Sequence, residues 1–125
     1  MAVGGTGMKT AGQVVEGLFE AMRSKNLAEA PLAADIEYEG PMMAELHGSD
    51  KVSRFLGGYL ATLQDLQIVR QIAGDEYVAT ELSVDTVFAK FQMVYIARVR
   101  DERIIELRSY YDPRPFMQGM GGEDR

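Results

Sequence analysis

Residues 66–111 read LQIVRQIAGDEYVATELSVDTVFAKFQMVYIARVRDERIIELRSYY, and this stretch decides the fold. Its apolar residues recur at every second position, the period of a strand whose side chains alternate between two faces. Gly74-Asp75 and Asp101-Glu102 punctuate it, which predicts strands over 66–73, 77–90, 91–100 and 103–111. Strands joined by links this short run antiparallel, because a parallel return needs a crossover of about a dozen residues.

Upstream the period becomes helical. Ser49, with Asp50 in the first turn, opens a segment in which Val52, Phe55, Leu56, Tyr59, Leu60 and Leu63 form one apolar stripe, with Lys51, Ser53, Arg54 and Gly57 to the other side. Ile36 to Glu39 reads as a short strand. Before it, Asn26 can cap a short helix that Pro31 limits, because a proline inside a helix removes a hydrogen bond. Thr10 and Gln13 carry the capping-box spacing, followed by Val14, Val15, Leu18, Phe19 and Met22 on one face of a helix ending near Ser24. Helices first and a meander afterwards is the α+β arrangement, a curved antiparallel sheet with helices on one side.

In the second meander strand Val78, Thr80, Leu82, Val84, Thr86 and Phe88 share one face, and Glu81, Ser83, Asp85 and Val87 the other. The acidic face reads as solvated. If a second subunit covered the sheet, that face could instead line a pocket and the apolar one become a dimer interface. Phe91, Met93, Tyr95, Ala97 and Val99 alternate with Gln92, Val94, Ile96, Arg98 and Arg100. A strand apolar on both sides is usually covered on both, which points to a dimer through the sheet.

The 125 residues contain 13 Lys+Arg against 19 Asp+Glu, a formal charge of −6 without any basic run. That balance argues against nucleic acid and anionic membranes as partners. The absence of Cys removes disulfide frameworks, thiolate zinc sites and Cys nucleophiles. His47 is the only histidine, so multi-histidine metal sites are excluded; in its loop it reads as solvated or capping. No phosphate-binding Gly loop, dinucleotide fingerprint or Ser, His and Asp set is present. No cofactor is expected. Residues 1–9 and 118–125 read as flexible tails around one domain over 10–117, and without a signal-peptide core or an apolar span the expected location is the cytoplasm.

The helix, short acidic strand, Gly48-led long helix and meander ending in Arg108-Ser109-Tyr110-Tyr111-Asp112-Pro113 together resemble the nuclear-transport-factor-2-like superfamily, closest to its SnoaL-like and ketosteroid-isomerase-like branches. The resemblance covers 10–117. It implies a cone-shaped, strongly curved and mostly antiparallel sheet, with helices on the concave face, an apolar pocket at the open end and frequently a sheet-to-sheet homodimer.

It also implies two site assignments. Counted back from Gly48, Glu39 stands where the ketosteroid isomerases place a carboxylate base; their helix-one Tyr aligns with Leu18, which cannot donate, and their third-meander-strand Asp with Tyr95, which can. Such chemistry needs a carboxylate whose pKa an apolar pocket raises, together with donors to the enolate oxygen. In the limonene epoxide hydrolases a Tyr corresponds to Tyr38 and one Asp to Asp85, whereas their Arg, second Asp and Asn fall on Ser83, Ser109 and Gly40. Adjacent residues of a strand face opposite ways, so Tyr38 and Glu39 compete for the pocket; Gly40-Pro41, a natural strand end, favours Glu39.

The resulting candidate catalytic residues are Glu39, Asp85, Tyr95 and Tyr38. Leu18, Met42, Met43, Phe55, Tyr59, Met93, Ser109 and Tyr111 are the expected substrate contacts, the methionines as adaptable lining joined by Met117 and Met120. The expected activity is cofactor-independent proton transfer, an isomerisation, cyclisation or hydration of a small apolar carbonyl or epoxide. The alternative is a binding or dimerising accessory protein of the same fold.

Overall fold

The structure, a computed structural model, describes residues 9–121 apart from the side chains at 43, 44, 116, 120 and 121. The tail expected before residue 9, the last four residues, and the side chains of Met43 and Met120 therefore lie outside the described residues.

Helix α1, Ala11–Arg23, starts at the expected capping box: the Gln13 N–H donates to Thr10 Oγ1 and the Thr10 N–H to Gln13 Oε1. It buries Val14, Val15, Leu18 and Phe19. A 3₁₀ turn, Leu27–Glu29, leads to strand β1, Leu32–Gly40. Strand β2, Met43–His47, turns back against β1 and hands the chain to helix α2, Ser49–Leu60. That helix is capped by Gly48 rather than by a Ser49 side chain. Gly48 has φ 97°, a conformation open to glycine at little cost, and its N–H donates to the Ile36 carbonyl at 2.8 Å. The meander follows as β3, Leu63–Ala73; β4, Tyr77–Thr86; β5, Lys90–Arg100; and β6, Arg103–Tyr110. Helix α3, Arg114–Gly121, closes the described chain and takes in residues 118–121.

The six strands form one sheet in the order β2-β1-β6-β5-β4-β3, in which β1 and β6 run parallel and every other neighbouring pair antiparallel. The sheet is curved and unclosed, and α1 and α2 fill its concave side. β4 ends at Thr86 instead of reaching Lys90, because Thr86 Oγ1 accepts the N–H groups of Phe88 and Ala89 and so replaces the ladder with a turn.

Val78, Thr80, Leu82, Val84 and Thr86 are buried against the helices, so the Glu81, Ser83 and Asp85 face is the outer one. The solvated reading of that acidic face holds for the single chain. No helix among the described residues is long and apolar enough to cross a membrane.

Candidate functional site

Four hydroxyl-bearing side chains meet on the inner side of the sheet, near the C-terminal ends of β1 and β6 and the middle of β5. Alternation along β1 turns Ile36 and Tyr38 inward, and both are buried. β1 runs beside β6 with Tyr38 paired to Leu107, which lets the phenol lean two residues onward, to Ser109 on the same face. Tyr38 Oη and Ser109 Oγ are 2.7 Å apart, a buried hydrogen bond in which either atom can donate. Tyr95 on β5 stands directly opposite Ser109. Tyr111 lies two residues beyond Ser109 and stacks on Phe91, with centroids 5.3 Å apart.

Gly40 is what makes room for the Tyr38–Ser109 pair. A Cβ at Gly40 would lie 2.5 Å from Ser109 Oγ and 2.6 Å from Tyr38 Oη. No side chain other than hydrogen fits there without moving the pair. In the sequence Gly40 reads as a strand end and, by resemblance, as the position of the hydrolases' Asn; neither reading signals the room it leaves for the pair.

The electrostatics of the cluster follow from burial without a countercharge. Burial raises the pKa of Tyr95 and of Tyr111, with the neighbouring Tyr38 phenol adding to both. Burial also raises Tyr38, partly offset by its bond to Ser109. At neutral pH all three phenols therefore keep their protons and are able to donate. The Tyr111 hydroxyl is buried and has no hydrogen-bond partner. An unpaired buried hydroxyl costs roughly 1 to 3 kcal/mol, so Tyr111 is set to gain from an acceptor brought to it.

Around these groups the wall is aromatic and aliphatic. Tyr38 packs on Phe55 at 5.3 Å, Phe55 on Tyr59 at 5.4 Å and Tyr59 on Tyr111 at 6.3 Å between centroids. Tyr59 Oη also donates to Met42 Sδ at 3.4 Å. Behind this row lies a hollow of about 20 Å³ bounded by Met22, Tyr59, Leu66, Val84, Met93 and Tyr95. That is room for a water molecule and little more. In front of it a recess of about 430 Å³ opens along Gly40, Pro41, Ser109 and Tyr111, with Glu39, Arg108 and Tyr110 also on its wall. The recess exists because β1 stops at Gly40, beyond its last pairing of Glu39 with Arg108, while β6 runs on to Tyr110.

Of the two carboxylates singled out by sequence, Glu39 reaches only the wall of the outer recess and Asp85 lies away from the site. Glu39 alternates outward from Tyr38, is half exposed and pairs with Arg108 at 3.6 Å on the outer side. The register shift between Tyr38 and Gly40 does not turn it inward, so the expectation that Glu39 wins over Tyr38 is reversed. Asp85 sits on the outer face of β4, paired to Asp65 and Lys90. No Asp or Glu among the described residues is buried. Leu18 is fully buried in the core and borders neither the hollow nor the recess. Tyr38, Tyr95, Ser109, Tyr111, Phe55, Tyr59, Met42 and Met93 are brought together; Met117 is half exposed on α3.

His47 lies between Glu37 and Glu45 at 3.7 Å from each, on the exposed side of β1 and β2. No cluster of His, Asp and Glu among the described residues is arranged to hold a metal ion.

Comparison with known proteins agrees with this geometry at the level of the fold. A protein from Kribbella flavida DSM 17836 superposes with a TM-score of 0.82 at 19% identity, over 87% of this chain and 92% of that one. A steroid delta-isomerase from Pseudomonas aeruginosa gives 0.74 at 22% identity, over 89% and 85%. An epoxide hydrolase of the LEH-like type from M. tuberculosis gives 0.71 at 22% identity, over 87% of each chain. Likeness at such identity speaks to architecture and not to reaction. No curated protein matches the sequence. The profile of the SnoaL-like domain matches residues 15–107, most of the strands and helices just described, and the chain therefore belongs to the SnoaL-like family, on the nuclear-transport-factor-2-like cone.

Proposed function

We propose that this protein binds a small, largely apolar molecule carrying a hydrogen-bond-accepting oxygen, a ketone, ether or epoxide, and does so without carboxylate-driven proton transfer. The observation that carries this reading is the buried, unpartnered Tyr111 hydroxyl in a cluster with Tyr38, Tyr95 and Ser109. Phenols with raised pKa values stay protonated at neutral pH, so they can donate a hydrogen bond but cannot serve as the base of a proton abstraction. What favours binding over the isomerase-like alternative is that Glu39, at the recess wall, is half exposed and paired with Arg108 rather than held in an apolar pocket, and that Asp85 lies on the outer side of the sheet.

The test compares 2-acetylnaphthalene with 2-isopropylnaphthalene, a hydrocarbon of the same outline, by calorimetric titration. Each phenol that donates contributes about 0.5 to 1.5 kcal/mol, a factor of roughly 2 to 13 in affinity. The ketone is expected to bind more tightly by that factor, and Tyr111→Phe to erase most of the difference. Equal affinities for the two compounds, or a preference indifferent to Tyr111→Phe, would refute the reading.

A second copy of the chain is the partner we propose for the outer sheet face. Exposed Val69, Ile72 and Tyr77, with Val94 and Ile96 half-buried beside the Arg70–Glu81 and Arg98–Glu106 pairs, favour it. Sedimentation should give a dimer that Ile72→Asp reduces to a monomer; a monomer at all concentrations contradicts this.

A further inference from the structure

Gly57 and Gly58 stand side by side in the last third of α2, immediately before Tyr59. Packing does not call for either of them: a Cβ at Gly57 or at Gly58 meets no atom within 4 Å, and neither has a positive φ. Within a helix each glycine nevertheless raises backbone entropy relative to alanine, shifting local unwinding by a factor of about five. Two consecutive penalties without a packing cause fall where the helix carries Tyr59 and Leu60.

Tyr59 is a dividing residue. It bounds the inner hollow, and its ring leans edge-on against Tyr111, which bounds the outer recess. The hollow of about 20 Å³ and the recess of about 430 Å³ are thus separated by these two rings. Downstream the chain is anchored. The Tyr59 carbonyl accepts from both the N–H and the Oγ1 of Thr62, and the Thr62 carbonyl accepts from the Val87 N–H at 2.9 Å. Any loosening is therefore confined between Gly57 and Thr62.

We propose that Gly57-Gly58 is a hinge whose local unwinding swings Tyr59 aside, joins the recess to the hollow and admits the ligand to the Tyr95 hydroxyl; this rests on the binding reading given above. The closed arrangement is the one observed. The closed hollow holds little more than a water molecule, so a ligand at Tyr95 keeps Tyr59 aside, and stiffening the hinge lowers the fraction of binding-competent protein and weakens the affinity with it.

The test is the Gly57→Ala/Gly58→Ala variant, with Ser53→Ala as a control that strengthens the same helix one turn earlier. Without any ligand, native-state hydrogen exchange at Tyr59, Leu60 and Ala61 should pass through an opening far more frequent than global unfolding, and the double variant should slow it about 25-fold, the product of two factors of five. In stopped-flow with 2-acetylnaphthalene, the association rate should fall by a similar factor and Kd should rise with it, while Ser53→Ala changes neither. Exchange at these amides only through global unfolding, or unchanged rates in the double variant, overturns the hinge. Failure of the ketone to bind, with fast local exchange still present, would instead count against the binding reading and leave the local opening standing on the exchange data.

Discussion

Gly40→Ala perturbs the cluster at its tightest point. The new methyl would lie 2.5 Å from Ser109 Oγ and 2.6 Å from Tyr38 Oη, with Tyr38 Cζ at 3.2 Å. Two buried oxygens must retreat, and their 2.7 Å bond must lengthen or break. Overpacking a well-filled site costs about 1 to 3 kcal/mol. Leaving a buried hydroxyl unpaired costs about the same again, so the substitution should remove about 2 to 6 kcal/mol, a large share of the roughly 5 to 15 kcal/mol that holds a domain together. Urea unfolding followed by circular dichroism reads this as a lowered midpoint at constant slope, a suitable probe because the chain has no Trp. The geometry predicts rescue. In a Tyr38→Phe/Ser109→Ala background both oxygens are gone, only the ring carbon contact remains, and Gly40→Ala should cost less than half as much. A cost below about 0.5 kcal/mol in the wild-type background, the range of ordinary surface substitutions, would refute the reasoning; so would an equal cost in both backgrounds.

Three further outcomes follow from the same arrangement. Glu39→Gln and Asp85→Asn, both on the outer face, should each leave the Kd for 2-acetylnaphthalene within twofold of wild type, and a tenfold loss in calorimetric titration would place a carboxylate in the site after all. The phenols of Tyr38, Tyr95 and Tyr111 have folded pKa values raised above 10.0, so their contribution is complete below about pH 10 and is lost as pH rises from there toward the folded values. Each phenol that ionises only in the unfolded chain adds a slope of about 1.4 kcal/mol per pH unit, which urea midpoints between pH 9 and 11 should show and Tyr95→Phe should flatten; an unchanged slope in that variant contradicts the burial argument. At the start of α3, Arg114 donates to both carboxylate oxygens of Asp112 and holds its pKa down at about 2, from the usual 3.8. Stability from this pair is present above pH 3.8 and disappears as pH falls through about 2; a side-chain carbon titration by NMR with its midpoint at 3.8 or higher would show that the pair does not form.

Much of the fold is legible in the residues because local and long-range signals agree. The Thr10 and Gln13 capping box, the stripe from Val52 to Leu60 and the period-two run through β4 and β5 each name an element that the structure contains. β2 went unread because Met43–His47 is only five residues long and follows Gly40-Pro41, which signals a loop. α3 went unread for a similar reason: Pro115 and Gly119 lower its helix propensity, and its stability is tertiary, with Gly119 seated against the Phe88 backbone where a Cβ would run into the carbonyl oxygen.

The site was half legible. Alternation from Ile36 to Tyr38 already placed Tyr38 with the core residue and Glu39 opposite it, but the strand-end signal of Gly40-Pro41 was given more weight. Pairing of β1 with β6 extends through Glu39 and Arg108, and that ladder keeps the carboxylate outside. Neither the parallel pairing nor the approach of Ser109 to Tyr38 across 71 residues has a local signature. Such contacts are fixed by sheet order, which single-strand patterns do not contain.

The central claim, that neutral phenols inside an apolar cone hold a ligand oxygen, is tested most directly by the infrared carbonyl stretch of bound 2-acetylnaphthalene. The account predicts a band below its position in alkane solvent, moving back toward that position in Tyr111→Phe and in Tyr95→Phe. A bound ketone whose carbonyl absorbs as it does in alkane would contradict it.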